Sequence, residues 1–260
     1  MKTLNYYCLL LLLLTATFQV LAQKVKTKAE KTIELVMTST GGTNGGAVAY
    51  HPVRDQYYAA FAGNESYPLE VFDSKGQQIA ASTPGFDVRG LWYNPKSEKL
   101  EGNSFDDKGL FRIKWNPAYR STPYTTNIWK GLNQPHENSV GSFDAKKNEL
   151  VFMHEGFIYR HNAKSGALVR KFELENTPAQ KAMNLTTGIF TGVKKHEYIL
   201  LNVAASEVFF FNKKGKLTAT CKLPGNQKLE DYFNWSYANG QVWIFNIESR
   251  TWTGYRVFDK

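Results

Sequence analysis

The sequence repeats itself every 43–50 residues, and no other feature restricts the possible folds as strongly. Five segments share a small or apolar start, one aromatic residue, a polar turn and a second apolar run. The aligned aromatic residues are Tyr50, Tyr93, Phe143, Phe190 and Tyr237. Self-similarity at a fixed period of this length is typical of solenoids, propellers and arrays.

Each repeat contains short apolar runs that are rich in aromatic and β-branched residues, which favours strands. Several third and fourth runs are separated by Asn- or Asp-led turns that end in glycine, namely 73–76, 162–166 and 212–215. Such turns indicate β-hairpins. We predict no helix beyond residue 22, because no segment there keeps an apolar period near 3.6. Four strands per repeat is the pattern of a propeller blade.

The two ends of the sequence complement each other. The fifth repeat lacks a fourth run, whereas the strand-like segment 32–40 precedes the first repeat and has no hairpin partner. We expect residues 32–40 to pair with 250–258, and Ile33, Leu35 and Met37 to pack against the neighbouring sheet, which removes an open edge. The sequence therefore predicts an all-β fold, a five-bladed β-propeller of four-stranded blades closed by strand 32–40 in the last blade.

At the level of architecture, the chain resembles the secreted bacterial β-propellers over residues 32–260. The resemblance rests on the repeat and on the closing strand. No WD dipeptide, kelch glycine pair or calcium-binding Asp-rich loop is present. The resemblance thus implies a fold and no particular functional family.

The first 22 residues have the three parts of a secretory signal peptide: Lys2, the leucine run 9–14 and the small residues of Val20-Leu21-Ala22. The apolar stretch is shorter than the roughly 20 residues of a membrane span. We predict a signal peptide at 1–22, a polar basic leader at 23–31 and one domain at 32–260. The mature protein would be periplasmic or extracellular, without a membrane span. Only Cys221 would remain, so no internal disulfide is expected.

The formal net charge of the chain is +9. Lysine pairs at 146–147, 194–195 and 213–214 all fall in predicted turns. Lysines at turns and edges commonly provide solubility, so we interpret these as plain surface turns. Binding of nucleic acid would require a basic patch with interleaved aromatic residues on a folded face. We therefore predict no nucleic-acid partner, and a monomer.

Two groups of loops should share one face of the propeller: those preceding the innermost strands and those joining second and third strands. Loops on a rigid scaffold commonly carry function. The candidate ligand-binding residues in and next to these loops are Asn44, Asp87, Arg89, His136, Glu137, Asn138, Asn184, Asp231, Asn234 and Trp235. Trp235 could stack on a sugar ring.

The sequence shows no nucleophile elbow and no phosphate-binding loop, and His136, Glu137 and His154 lack the close spacing of metal ligands. We predict no metal and no cofactor. The favoured function is non-catalytic binding of a small ligand, glycan, peptide or protein on the central face. The alternative is a carbohydrate-active hydrolase or lyase using Asp87, Glu137 and Asp231, because glycoside hydrolysis needs two carboxyl groups roughly 5–10 Å apart.

Overall fold

A computed structural model describes residues 23–107, 109–116, 119–129, 133–225 and 228–259. The predicted signal peptide lies outside the described residues. The described residues form strands and two short 3-10 turns, Phe105–Asp107 and Gln180–Ala182. Among them, no helix is long and apolar enough to cross a membrane. The all-β class is therefore confirmed.

The strands follow the predicted runs closely. They are β1 (Val25–Val36), β2 (Asn44–His51), β3 (Gln56–Ala62), β4 (Leu69–Asp73), β5 (Gln78–Ser82), β6 (Val88–Asn94), β7 (Lys99–Ser104), β8 (Leu110–Asn116), β9 (Tyr119–Trp129), β10 (Ser142–Asp144), β11 (Glu149–His154), β12 (Phe157–Asn162), β13 (Leu168–Glu173), β14 (Met183–Phe190), β15 (Tyr198–Asn202), β16 (Glu207–Phe211), β17 (Leu217–Lys222), β18 (Trp235–Ala238), β19 (Gln241–Asn246) and β20 (Thr251–Phe258).

The strands pair as antiparallel meanders. Three sheets have four strands each, in the orders β2-β3-β4-β5, β6-β7-β8-β9 and β10-β11-β12-β13. A fourth sheet has eight strands in the order β14-β15-β16-β17-β1-β20-β19-β18. Within it, β17 and β1 are joined by one parallel pair, Lys28 with Lys222, whereas the other neighbours form antiparallel ladders.

Polar turns close the hairpins as the sequence indicates. Asp73 Oδ1 accepts hydrogen bonds from the backbone N–H groups of Lys75 and Gln77, both at 2.9 Å. Gly76 follows with a φ of 85°, a left-handed conformation that glycine adopts without a steric penalty. Asn212 makes the equivalent bonds to Lys214 and Lys216 before β17. These contacts fix the register of the outer hairpins.

The first strands of the meanders, β2, β6, β10, β14 and β18, lie side by side and are called the inner ring here. β2 contacts β6, β6 contacts β10, β10 contacts β14, β14 contacts β18, and β18 contacts β2. Close packing requires small residues, since a Cβ on Gly90 of β6 would meet the backbone of Gly141 and the side chain of Asn103. The sheets are therefore arranged around a centre, in a β-propeller-like architecture.

The core lies between successive sheets. Trp92 and Leu110 meet Leu150 and Phe152, for example, across one such interface. The outermost strands β5 and β13 are mostly exposed, whereas β3 is almost entirely buried. Cys221 is buried, and its burial raises the pKa of the thiol to about 12. The core thus consists of several sheet-to-sheet interfaces instead of one central mass.

Strand β1 pairs with β20 as expected, but its bounds differ from the predicted 32–40. The strand covers 25–36, so most of the predicted polar leader is part of it, and residues 37–40 continue outside the strand. Val36 lies opposite Thr251, and Met37 N–H donates to the carbonyl oxygen of Arg250 at 2.9 Å. Leu35 and Met37 are buried against strands β2, β3 and β4 of the first sheet, with Ile33 packed beside them.

Candidate functional site

One side of the inner ring carries the predicted polar loops, and hydrogen bonds connect them across different sheets. Arg89 Nε donates to Asn138 Oδ1 at 3.2 Å. The Asp106 N–H donates to the Glu137 carbonyl oxygen at 3.0 Å. The Asn234 amide nitrogen lies 3.4 Å from Asn44 Oδ1. The structure therefore gathers most of the predicted residues on one surface, called the central face here.

Arg89 is buried at this face, and Asp87 binds it. Asp87 Oδ1 accepts from Arg89 Nη1, and Oδ2 accepts from Nη2 at 3.1 Å. The backbone N–H of Gly63 also donates to Asp87 Oδ1, at 2.7 Å. Both oxygens of Asp87 are therefore occupied within the protein. Burial lowers the pKa of Arg89, an effect that the contact with Asp87 partly offsets.

Two aromatic rings hold the Arg89 guanidinium group between them. Its central carbon lies 4.8 Å from the ring centre of Phe105 and 4.8 Å from that of Phe233. Phe233 precedes β18, whose neighbours in the inner ring are β14 and β2, so Arg89 of β6 reaches across the ring. Cation–π contacts of this kind stabilise a buried cation. Arg89 thus connects residues on opposite sides of the inner ring at the central face.

Two buried asparagines shape the loop 230–234. Asn184 Oδ1 accepts from the N–H groups of Thr186 and Thr187, and its Nδ2 donates to the carbonyl oxygens of Glu230 and Phe233. Asn234 Oδ1 accepts from Gly45 N–H at 2.7 Å. These side chains are engaged by the backbone. Both side chains therefore position the loop, and Asn234 also lines the cavity described below.

Trp235 does not fit its predicted role. Its side chain is fully buried among the residues of the β14–β17 and β18–β20 interface. A ring without exposed surface cannot stack on a sugar. Strand β18 begins at Trp235, and the alternation of side chains along a strand turns this ring into the core.

A cavity of about 420 Å³ opens on the central face. Its lining residues are Asn44, Asn138, Glu230, Asp231, Tyr232, Phe233 and Asn234. Four of them were predicted from the sequence, namely Asn44, Asn138, Asp231 and Asn234. Glu230, Tyr232 and Phe233 were not predicted, because they lie in a loop without strand periodicity. Tyr232 is 42% exposed, so it is the accessible aromatic surface of the cavity.

The three carboxylates of the hydrolase hypothesis are not arranged around this cavity. Asp231 lines it, whereas Asp87 and Glu137 do not. Asp87 is bonded to Arg89, and Glu137 is exposed at the end of the 133–137 loop. A general acid needs a carboxyl group that can carry a proton next to the leaving group. The bidentate contact with Arg89 opposes that role for Asp87.

His136 and His154 stack at the edge of the face, with ring centres 4.9 Å apart and planes 22° apart. The Asn138 N–H donates to His136 Nδ1 at 3.1 Å. Burial lowers the pKa of His154, and the nearby His136 acts in the same direction. Within the described residues, no group of three or more His, Cys, Asp or Glu side chains could hold a metal ion.

Comparisons with known proteins show the fold. No protein-family model matches the sequence, and no curated protein matches it either. The structure is similar to the glutaminyl cyclase of Myxococcus xanthus, with a TM-score of 0.60 and 12% identity over 92% of this chain and 100% of that one. It is also similar to a Bacteroides thetaiotaomicron protein of unknown function, with a TM-score of 0.54 and 12% identity over 90% of this chain and 73% of that one. At this identity the likeness concerns architecture alone, so the chain has a β-propeller-like fold.

Proposed function

We propose that this chain is an exported, non-catalytic five-bladed β-propeller that binds a glycan in the cavity on its central face. The observation that carries the proposal is the composition of that cavity. Amide groups from different parts of the inner ring and the carboxylates of one loop line the cavity together with an exposed tyrosine. Sugar ligands need this combination, since their hydroxyl groups require hydrogen-bonding partners and their apolar faces stack on aromatic rings.

The blade count follows from dividing the eight-stranded sheet at its single parallel pair, Lys28 with Lys222. One half is then β14–β17, and the other is β18–β20 completed by β1. Two observations support this division. The inner ring has five members in sequential contact, and buried clusters lie between each sheet and the next, including the last and the first. The N-terminal strand then closes the last blade.

Binding without catalysis is favoured over hydrolysis because the cavity lacks a suitable pair of carboxyl groups from different blades. Its two carboxylates, Glu230 and Asp231, are consecutive residues of one loop, and Glu230 Oε1 lies 3.3 Å from Lys228 Nζ. Asp87, one of the three carboxylates of the hydrolase hypothesis, is bound by Arg89. The proposal of export rests on the signal-peptide pattern of residues 1–22.

Thermal unfolding in the presence of neutral oligosaccharides tests this function. A ligand at 100 times its dissociation constant adds about 2.7 kcal/mol to the free energy of unfolding. We expect Tyr232→Ala to weaken binding by about twofold to tenfold, because a stacked ring contributes about 0.5–1.5 kcal/mol. Val53→Ala removes another exposed apolar side chain far from the cavity and should leave binding unchanged.

Three outcomes would contradict the proposal. Equal weakening by Tyr232→Ala and Val53→Ala would place the ligand elsewhere. Release of reducing sugar that disappears in Asp231→Asn would make the protein a hydrolase. A peptide with N-terminal glutamine belongs in the panel, because one structural neighbour is a glutaminyl cyclase. If the protein cyclises the N-terminal glutamine of that peptide, it is an enzyme and the binding proposal is wrong.

A further inference from the structure

The turns on the opposite face of the inner ring surround a second and larger cavity. Its volume is about 1140 Å³, and it lies between the β10–β13 sheet and the β14–β17 strands. The β10–β11, β14–β15 and β16–β17 turns all contribute to its walls. The lysine pairs of these turns were predicted to be plain surface turns, whereas their members, except Lys195, line one concave surface.

This cavity, called the basic cleft here, has an excess of positive charge. Eight of its lining residues are Lys or Arg, and three are Asp or Glu. Two of the three acidic residues already have a partner. Asp144 binds Arg160, and Glu175 Oε2 lies 3.9 Å from Lys216 Nζ. Within the described residues, the cleft lysines other than Lys216 form no ion pair. These are Lys146, Lys147, Lys194, Lys213 and Lys214.

The floor of the cleft is rigid and charged. Arg160 is 4% exposed, and it donates to Asp144, to Glu149 and to the Tyr198 hydroxyl, the last at 2.6 Å. Its guanidinium carbon also lies 5.2 Å from the ring centre of Phe190. The lysines around this Arg160 floor have long side chains, which can adjust to an elongated ligand.

The positive charges that converge in the basic cleft should attract anions. A cleft focuses the field of its charges and raises the local concentration of counterions. Repulsion among unpaired lysines is relieved when anionic groups enter between them. The volume exceeds the roughly 300–1,000 Å³ of ordinary small-ligand pockets. Both features point to a ligand with several negative charges spread along its length.

We propose that the basic cleft binds an acidic polysaccharide, with carboxylate or sulfate groups on successive sugars held by Lys146, Lys147, Lys194, Lys213 and Lys214. A concave site favours a chain over a flat membrane surface. Single-stranded nucleic acid would require aromatic residues on which bases can stack. Of the aromatic residues in the cleft lining, Tyr198 is buried and Phe190 packs against it, which argues against that ligand.

The test is titration calorimetry of the whole protein with hexagalacturonate, using maltohexaose as a neutral ligand of equal length. Three cleft lysines are replaced together, Lys146→Gln, Lys147→Gln and Lys194→Gln. The matched control is Lys75→Gln, Lys96→Gln and Lys164→Gln, which removes the same charge from exposed turns outside the cleft. We expect the cleft variant to weaken hexagalacturonate binding by about tenfold or more at low salt, and the control by less than about twofold.

Equal weakening by both triple variants would overturn the proposal, because it would mean attraction by net charge alone. An oligothymidylate, or vesicles containing phosphatidylglycerol, could bind more tightly than hexagalacturonate. If the cleft variant abolishes that binding, the cleft is assigned to nucleic acid or to a membrane instead. Tyr232→Ala should leave hexagalacturonate binding unchanged. The cleft and the central cavity can therefore fail or succeed independently.

Discussion

Arg89 is the residue on which the central face depends most. It connects its own strand to Asn138 of the next sheet and to Phe233 across the inner ring, while Asp87 neutralises it. Arg89 is 3% exposed, and Asp87 is 8% exposed. A charge at this depth is tolerated only with its partner present, because removing one member leaves the other buried and uncompensated.

Asp87→Asn should therefore lower the free energy of unfolding by about 3–5 kcal/mol, as the breaking of buried ion pairs generally does. Urea denaturation at neutral pH measures the change. The double variant Asp87→Asn/Arg89→Met should recover part of the loss, since no buried charge remains. Glu65→Gln, at an exposed position, serves as the control. A loss below about 0.5 kcal/mol in Asp87→Asn would show that the pair carries little stability.

Some residues of the site could be predicted from the sequence, and others could not. Asn44, Asn138, Asp231 and Asn234 were placed at the cavity because loops that precede inner strands converge in a propeller. Tyr232 was missed, since its loop has neither a motif nor a period. Trp235 was misassigned, because the side of a strand on which a ring lies depends on where the strand begins, and sequence places that boundary only within a few residues.

Strand β1 is the element that joins the beginning of the described chain to its end. Its polar first half concealed it in the sequence, because residues 25–32 are mostly polar and mostly exposed, and they show no apolar alternation. The pairing with β20 also has two irregularities, between Val25 and Glu30 and between Lys31 and Ile33. The first inserts three extra residues of β1 and the second inserts one, so the period of two is interrupted twice and no simple pattern extends over 25–36.

Adjacent residues of β1 provide a matched pair for testing its packing. Leu35 is fully buried beside Trp252 and Phe72, whereas Val36 is 52% exposed. Leu35→Ala should cost about 2–5 kcal/mol, because it leaves a cavity in a packed core. Val36→Thr should change the free energy of unfolding by no more than about 0.5 kcal/mol. Chemical denaturation measures the free energy of unfolding of both variants. Similar losses of that free energy would mean that β1 does not contribute its apolar face to the core.

The whole molecule is an arrangement of sheets around a centre, and the repeat predicted this well. Each repeat encodes local hairpins, so the succession of strands could be derived from turns and apolar runs. The contacts across the centre could not, because Arg89 with Phe233 and Asn184 with Glu230 join residues that have no shared periodicity. The cleft on the opposite face was missed for the same reason, since it exists only when neighbouring turns are placed side by side.

Relocating β1 tests how the ring is closed. Val25 lies opposite Phe258, and the Asp259 N–H donates to the Lys24 carbonyl oxygen at 2.9 Å. A chain in which residues 24–37 follow Asp259 through a short glycine-containing turn should keep its melting temperature within a few degrees. Changes in loop length alone alter stability by only about 0.6 kcal/mol per doubling. A chain that lacks 24–37 should unfold far more easily, and equal melting of the two would contradict closure by β1.

The antiparallel pairing of β1 with β20 also determines how the protein would respond to mechanical force. Residues 24 and 259 lie at the same end of this ladder, so tension applied between them acts first on the pair of Val25 and Phe258. The hydrogen bonds of an antiparallel pair run perpendicular to the strands and would open one after another, as in unzipping, instead of resisting together in shear. Pulling would thus separate β1 from β20 at low force and expose Leu35 and Met37, well before the four-stranded sheets lose their own pairing.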